Sequence, residues 1–474
     1  MHLNVVTLSR LQFALTIMFH YLFPPLSIGL GALMVIMEGA YHWTGDKEWE
    51  TLARFWTKIF AVNFAMGVAS GIVMEFEFGT NWATYSRFVG DIFGSALAAE
   101  GIFAFFLESG FLSVLVFGWD RVSKRMHFVS TCLVALGALF SAVWIIVANS
   151  WQQTPAGYVL ATHNGVTRAE ITNFWAVVFN PSSMQRLVHT VLGAYMMGAA
   201  FVASVSAYYV LKGRHGSLAR KSLALSVIFG AVAAFALPIS GDSQAREVAR
   251  YQPAKLAAFE GLYKTTANAP LSLFGIPDDA RQELRASVGV PGLLSFLVHG
   301  RPSAPVTGLD AFAPDDRPPA AACYILFHAM VVMGMALAAL FGFSLWRLRG
   351  GKLYGDKLLL KGLIGSVIVT MLANEIGWCA AEVGRQPWIV YGLLRTKDAV
   401  SQAVPAQDVL ISIVLFSVIY VMLAAIWLYI LDEKIKHGPE DEAEAGTRER
   451  GWIQAAARLA NPAGDSMAEG EERA

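Results

Sequence analysis

Long runs of hydrophobic residues, separated by shorter polar stretches, dominate the pattern of the chain. Most runs exceed the ~20 residues that a membrane-spanning helix needs, which leaves room for tilted helices. The pattern therefore predicts an all-α fold, a polytopic membrane bundle of about nine transmembrane helices. The predicted spans cover residues 10–38, 53–78, 91–118, 127–151, 183–211, 217–239, 321–346, 358–382 and 406–433.

Composition agrees with this pattern. Hydrophobic residues make up 55% of the chain and charged residues 15%, whereas a soluble chain carries about a quarter charged residues. The length fits one helical bundle better than a string of soluble domains. The second span is the weakest of the nine, because Lys58 lies near its start and Glu75 and Glu77 lie near its end.

The short loops predict the orientation of the bundle. Lys and Arg are concentrated in the loops after the third, fifth and seventh spans, whereas the loop 79–90 contains only Arg87. Because positive residues collect on the cytoplasmic side, we predict an outer N-terminus and a cytoplasmic C-terminus. No small-residue cleavage site follows the first run, so we expect a retained first helix and no signal peptide.

The segments between the spans divide the chain into four parts. We assign residues 1–239 to helices one to six, 240–320 to a long outer loop, 321–433 to helices seven to nine and 434–474 to a cytoplasmic tail. Ordered loops as long as the outer one usually carry function.

Three histidines, His20, His189 and His328, lie well inside predicted spans. The spans that contain His189 and Met330 both run from the outer side inward. The two residues lie at depths that differ by only ~5 Å. They could ligate one haem iron from opposite faces, or each could simply pack or hydrogen-bond inside the bundle. His20 has similar alternatives, a single axial ligand or an interhelical hydrogen bond. The two prolines that follow it open the helix locally.

Carboxylates inside the spans are further candidates, because intramembrane charge is costly and suggests function. Glu100 and Glu108 would lie ~80° and ~12 Å apart on an ideal helix. Two carboxylates at different depths in the membrane favour a proton relay. Ion pairs with Lys or Arg are the alternative, but the spans contain few of these residues. Glu375 and Glu382 lie near the outer end of span eight, where partly hydrated carboxylates are the alternative.

The residues after Glu382 are equally open to two interpretations. Arg385 could pair with Glu382, or with a propionate or other anion in bidentate fashion. Trp378 fits an aromatic belt at the membrane interface as well as the edge of a cofactor. The run Gly-Arg-Gln-Pro-Trp at 384–388 ends the helix.

Several stretches, taken together, resemble subunit I of the cytochrome bd quinol oxidases. The resemblance covers nearly all of the chain up to the tail, and the joint match is highly specific although no single stretch would be. The matching stretches are residues 9–14 with His20, 74–82, 100–109, 144–149, 188–190, 255–260 and 384–388.

The resemblance implies three haems. His189 and Met330 match the two ligands of a low-spin haem b. We assign His20 as the axial ligand of haem d and Glu382 as that of a high-spin haem b, although family members can place these two haems differently.

The resemblance also implies sites for quinol and for protons. Lys255 and Glu260 match the quinol-binding pair of the outer loop. Glu100, Glu108 and Ser141 match positions near the dihaem site and its proton route. The other residues that we expect beside the cofactors are His328, Trp378 and Arg385.

The chain departs from the best-known family pattern twice. Where that pattern has Arg-Ile-Met, this chain has His328-Ala329-Met330, so the Arg contact to a propionate is either lost or made by His328. The outer loop is also short and lacks a C-terminal insertion. This resembles the short-loop, cyanide-insensitive-type branch, whose members need not carry haem d, so a haem b in its place is the alternative.

The function implied is that of a multi-pass terminal oxidase in the bacterial inner membrane. Quinol would be oxidised on the outer side and O2 reduced to water at the dihaem site, which separates charge without a pump. A second large membrane subunit and a single-helix small subunit are the implied partners, with no role for nucleic acid. The alternatives are a quinone-linked haem b electron carrier without O2 chemistry and a secondary transporter.

Overall fold

The computed structural model describes residues 4–439. Within that range nine helical segments are long and apolar enough to cross a membrane, which confirms the predicted all-α polytopic bundle. The segments are Val5–Thr44, Lys47–Thr80, Ala83–Phe117, Lys124–Gln153, Ser183–Lys212, Gly216–Tyr251, Pro314–Gly355, Lys357–Val383 and Ala406–His437.

Individual helices and strands build these segments and the loops between them. The α-helices are α1 (Val5–His20), α2 (Pro24–Thr44), α3 (Lys47–Thr80), α4 (Ala83–Glu100), α5 (Phe106–Phe117), α6 (Lys124–Gln153), α7 (Phe174–Val178), α8 (Ser183–Lys212), α9 (Gly216–Tyr251), α10 (Pro253–Phe259), α11 (Leu293–His299), α12 (Ala320–Leu348), α13 (Lys357–Val383) and α14 (Ala406–His437). Antiparallel two-stranded hairpins pair β1 (Tyr158–His163) with β2 (Val166–Ile171), β3 (Leu271–Asp278) with β4 (Glu283–Val290), and β5 (Trp388–Val390) with β6 (Leu394–Arg395).

The first span is broken directly after His20. Pro24 and Pro25 begin α2, and because proline has no N–H, carbonyls before it lose their helical partners. Asn63 of α3 donates a hydrogen bond of 2.9 Å to the Phe23 carbonyl, which also accepts from the Ser27 N–H in the first turn of α2. The break leaves His20 as the last residue of α1, at the local opening that the two prolines predict.

The third span contains a π-helical turn at Gly101–Phe105, between α4 and α5. Such a turn adds about one residue to the helix and rotates the helix beyond it by about 100°. Glu100 and Glu108, which an ideal helix would separate by ~80°, are therefore brought to within ~20° of one face. The sequence pattern did not predict this turn.

The helices around α8 form the centre of the bundle. Helix α8 packs against α2, α6, α9 and α13, and α12 packs against α9 and α13. Small residues let helices approach closely in lipid. At the contact between α2 and α8, a Cβ atom added to Gly29 would lie only 2.7 Å from the Gly198 Cα.

Helix α9 runs beyond its predicted end. It continues through Pro238 to Tyr251, whereas we placed the start of the outer loop at residue 240. Proline is tolerated in membrane helices because neighbouring groups satisfy the carbonyl that it frees. The rest of that loop contains α10, the β3–β4 hairpin and α11. Of the predicted tail 434–474, the part from residue 440 onward lies outside the described residues.

The contact between α2 and α8 predicts a stability effect. Gly29→Ala places a methyl group against backbone atoms that cannot move independently, so we expect a loss of ~1–3 kcal/mol or more in stability. The thermal unfolding midpoint of the purified protein in detergent measures it. Gly365→Ala in α13, where an added Cβ meets nothing within 4 Å, is the matched control; equal midpoints for both variants would contradict the prediction.

Candidate functional site

A serine on the neighbouring helix holds the ring of His189. The His189 Nδ1 lies 2.9 Å from the Ser240 Oγ of α9, and that hydroxyl donates to the Leu237 carbonyl at 2.9 Å. Because the Ser240 hydroxyl donates its proton to the Leu237 carbonyl, the Ser240 oxygen accepts the hydrogen bond from the His189 Nδ1–H. The lone pair of Nε2 is thereby left for a metal, which is the usual second contact of a ligating histidine.

The same arrangement recurs at His20. Its Nδ1 lies 3.0 Å from the Ser70 Oγ of α3, and the Ser70 hydroxyl donates to the Met66 carbonyl at 2.9 Å. The Nε2 of His20 is therefore also the acceptor nitrogen. Sequence reasoning missed Ser70 and Ser240, because a serine in a membrane helix has no distinguishing pattern.

Met330 lies at the level of His189, as predicted from depth. A Cβ added to Gly193, one turn after His189 on α8, would lie 2.9 Å from the Asn374 Oδ1 of α13. Helix α13 runs in the direction opposite to α8. Gly377, three residues after Asn374, therefore lies about one turn nearer than Asn374 to the level of His189. A Cβ added to Gly377 would lie 2.8 Å from the Met330 Sδ.

Glu382 is held through both carboxylate oxygens. Asn149 donates 2.9 Å to its Oε1, and Arg385 donates to its Oε2. Arg385 is buried and also donates 3.1 Å to the Gln152 Oε1. Each carboxylate oxygen accepts one of these bonds and keeps a second lone pair, so the group remains able to ligate a metal.

Three basic side chains are buried around the end of α13. Arg385, Lys255 and Arg186 are each at most 5% exposed. The Lys255 Nζ donates 2.7 Å to the Ala381 carbonyl. Burial, with the nearby positive charge of Arg186, holds the pKa of Lys255 well below its usual range. The two arginines alone outnumber the one carboxylate, Glu382, so the cluster suits an anionic partner such as the propionates of a haem. Arg186 was not predicted.

The side chains of Lys255 and Glu260 face different parts of the structure. Lys255 faces the end of α13, whereas Glu260 accepts from the backbone N–H of Ser272 in β3. Burial raises the pKa of Glu260 to about 8, and its Oε2 has no hydrogen-bond partner within residues 4–439. An unpartnered buried carboxyl oxygen at the outer loop suits a polar ligand.

His328 faces the outer hairpin. Its Nδ1 lies 3.0 Å from the Tyr324 carbonyl and its Nε2 lies 3.1 Å from the Ser272 carbonyl. The ring also stacks on Tyr324, with 3.9 Å between centroids. Both ring nitrogens therefore lie on protein carbonyls, and a contact between His328 and a cofactor stays a prediction. The Ser272 hydroxyl lies 2.6 Å from the Tyr324 hydroxyl, which ties β3 to α12.

The predicted relay residues all meet at α6. Ser141 donates 2.9 Å to the Glu100 Oε1. Glu108 is buried, and its Cγ packs directly on Gly137, one helical turn from Ser141. The π turn puts both carboxylates on this face, so they lie closer together than an uninterrupted helix would allow.

Trp378 and Glu375 lie beside the break in the first span. The Trp378 ring packs on Tyr21 with 5.1 Å between centroids. Glu375 is buried, and neither carboxylate oxygen has a hydrogen-bond partner in the described part of the chain. Buried polar atoms usually have a partner, so this region suits a further polar group.

The donors present fit haem better than a bare metal ion. No group of three or more His, Cys, Asp or Glu side chains that could hold a metal ion occurs between residues 4 and 439. A haem iron needs only one or two protein ligands. Separate histidines with a free Nε2, a methionine sulfur and a carboxylate beside buried cations supply such ligands. The fold and site thus define a multi-pass helical bundle suited to haem.

Comparison with known proteins identifies the family. The model of the cytochrome bd terminal oxidase subunit I family matches residues 8–439. The chain is 38% identical to cytochrome bd ubiquinol oxidase subunit 1 of Bacillus subtilis (93% of this chain, 95% of that protein). It is 35% identical to cytochrome bd-II ubiquinol oxidase subunit 1 of Escherichia coli (94% and 100%).

A solved structure agrees with these relatives. The bd oxidase from Geobacillus thermodenitrificans superposes with a TM-score of 0.86 at 30% identity, covering 92% of this chain and 99% of that one. The chain therefore belongs to the cytochrome bd terminal oxidase subunit I family, and the resemblance noted in the sequence is confirmed. Membership also confirms a multi-pass protein of the bacterial inner membrane.

Ser240 gives a direct test of the histidine geometry. In Ser240→Ala the Nδ1 of His189 loses its acceptor, so we expect ~10-fold or greater loss of low-spin haem retention. Haem content per protein and the reduced-minus-oxidised spectrum measure it. Ser226→Ala is the control, since Ser226 is also buried on α9 and donates to the Leu223 carbonyl without touching a histidine. Equal haem loss in both variants would argue against the role of Ser240.

Proposed function

We propose that this chain is the subunit of a terminal respiratory oxidase that oxidises quinol at the outer membrane face and reduces O2 to water inside the bundle. The observation that carries this proposal is the pair of histidines, His20 and His189, each with Nδ1 held by a serine and Nε2 left free. Two such sites on different helices support an electron-transfer chain within one subunit.

The residues that would hold the haems follow from these contacts. His189 and Met330 would hold the low-spin haem b. His20 would hold one high-spin haem, either haem d or a haem b in its place, and Glu382 the other. Haem supplies one-electron chemistry and, where its iron is five-coordinate, an open position for O2. Arg385 and Lys255 would neutralise propionates, which gives Lys255 a role beside the haems in addition to the one near quinol.

Glu260 is the group that we assign to quinol. It lies on the loop side of the bundle, its Oε2 is unpartnered, and Phe259 beside it stacks on Phe327 with 4.7 Å between centroids. A deprotonated Glu260 accepts a proton from a quinol hydroxyl, and an aromatic floor suits a planar ring. The proton then leaves on the outer side.

Protons for water formation would enter from the cytoplasmic side. Glu100 and Glu108 lie against one face of α6, at Ser141 and Gly137, and with Ser141 they form the inner part of this route. Since quinol protons leave outside and O2 takes protons from inside, the reaction moves charge across the membrane without a pump. This vectorial arrangement depends on the predicted orientation of the spans.

The protein partners that we propose are those that the family resemblance implies. A second large membrane subunit completes the oxidase, and a single-helix small subunit is a further candidate. The name of each relative above includes ubiquinol, and we assign quinol as the substrate class of this chain.

A spectrum of the reduced protein tests the function. We expect carbon monoxide to shift the absorption of a high-spin haem, and a far-red band to distinguish haem d from haem b. An unshifted haem spectrum would indicate an electron carrier without O2 chemistry, and a colourless protein a transporter. His189→Ala should lose the low-spin signal, whereas His163→Ala on exposed β1 should keep it.

The raised pKa of Glu260 predicts that the rate of quinol oxidation depends on pH. Because the deprotonated form accepts the quinol proton and the pKa is about 8, quinol oxidation should increase as pH rises from 7 through 8. Glu260→Gln should lower turnover by ~100-fold and abolish that increase. Stopped-flow quinol oxidation at several pH values measures both. Glu283→Gln on the exposed strand β4 is the control; an unchanged pH profile in Glu260→Gln would contradict the assignment.

A further inference from the structure

The β3–β4 hairpin of the outer loop carries an apolar patch, formed by Leu273, Phe274, Val288 and Val290. Each of these side chains is between 41% and 60% exposed. Phe274 is the partner of Val288 in the sheet, so the two side chains lie on the same face. A contiguous exposed apolar patch marks a surface that contacts a protein, a ligand or a membrane. The patch therefore needs a partner that the described residues do not supply.

The charged residues of the hairpin lie at its other end. Arg281, Glu283 and Arg285 are each more than half exposed, and they lie in or beside the turn between the two strands. Asp278 pairs with Glu283 next to this turn. The apolar patch lies nearer the open end of the hairpin. The hairpin thus has a charged tip and an apolar base.

Contacts with α12 show how the hairpin is oriented. At the base, the Ser272 carbonyl lies 3.1 Å from the His328 Nε2. At the tip, the Ala321 N–H donates to the Asp279 Oδ2 at 3.3 Å. Ala321 and His328 are seven residues apart on α12, which is ~10 Å along the helix axis. Since α12 runs inward in the predicted orientation, the base of the hairpin lies ~10 Å deeper than its tip.

The same helix relates the base of the hairpin to the membrane. Arg347 is the basic residue at the inner end of α12. Counting back the ~20 residues that cross the hydrocarbon reaches about residue 327, next to His328. Ile325 and Val332, on either side of this level, are 59% and 63% exposed, as expected of residues that face lipid. The apolar patch therefore lies where the acyl chains begin, and the charged tip lies at the level of the headgroups.

We propose that the β3–β4 hairpin inserts its base into the outer leaflet, where lipid acyl chains cover the apolar patch. Glu260 accepts from the backbone N–H of Ser272 and so lies at this base. A quinol dissolved in the membrane then reaches Glu260 from the side, along the apolar patch, without passing through water. This route rests on the proposed function, in which Glu260 accepts a proton from quinol.

Fluorescence quenching of the assembled oxidase in lipid vesicles tests the insertion. A bimane label is attached to the variants Phe274→Cys, Val332→Cys and Arg281→Cys, and the unsubstituted protein gives the background of the three native cysteines. Brominated phosphatidylcholine should quench the label at position 274 as strongly as the label at 332, and at least threefold more than the label at 281. Aqueous iodide should quench the three labels in the reverse order.

Two results would overturn the insertion. Iodide quenching at position 274 equal to that at 281 would show that the base of the hairpin lies in water. Protection of position 274 from both quenchers would show that another protein chain, rather than lipid, covers the patch. If Phe274→Cys does not assemble, Val288→Cys places the label on the same face of the hairpin and gives the same comparison.

Phe274→Asp tests the route of quinol. A carboxylate is costly in hydrocarbon, so the base of the hairpin should leave the membrane. We expect KM for a long-chain quinol to rise at least 5-fold, with kcat, the haem spectra and KM for a short-chain, water-soluble quinol unchanged. Phe274→Leu, which keeps an apolar side chain, is the matched control and should keep the wild-type KM.

The outcomes for this variant separate the route from the proposed function. An unchanged KM for the long-chain quinol in Phe274→Asp, or an equal rise for both quinols, would overturn the route along the patch. A wild-type protein that does not oxidise quinol would instead contradict the proposed function, and the quenching result would be unaffected.

Discussion

The structure depends on one constraint, that each polar group taken into the hydrocarbon must find its partner inside the bundle. His20 and His189 show how this is met, since each Nδ1 is satisfied by a serine hydroxyl that is itself fixed on a helix carbonyl. The partner also decides the tautomer. The hydrogen bond that satisfies one ring nitrogen thus also determines that the other, Nε2, keeps its lone pair.

The same constraint explains the arrangement at the end of α13. Arg385 satisfies Glu382, while Gln152 and the Ala381 carbonyl accept from Arg385 and Lys255. The cluster nevertheless keeps more positive than negative groups. Buried positive charge is costly unless an anion balances it. The excess positive charge in this region therefore suits an anionic ligand.

Much of the fold could be predicted from the sequence, because span length and loop charge are properties of continuous stretches. The nine spans and the opening before Pro24 are of this kind. Family resemblance supplied candidate ligands such as His189 and Met330. Contacts between distant helices could not be predicted in that way: Ser70, Ser240 and Arg186 have no local signal. His328 was assigned by analogy with an arginine, and its hairpin partner was not visible in sequence.

The π turn at Gly101–Phe105 has a consequence for the tolerance of the third span to change. Because the turn contains one residue more than an α-helical turn, α4 and α5 follow different helical registers. Deleting a single residue there would restore a regular helix and rotate one half by about 100° relative to the other. Some side chains of that half that face the bundle would then face the lipid, and some that face the lipid would face the bundle. This span is therefore intolerant of a length change that an ordinary surface loop would absorb.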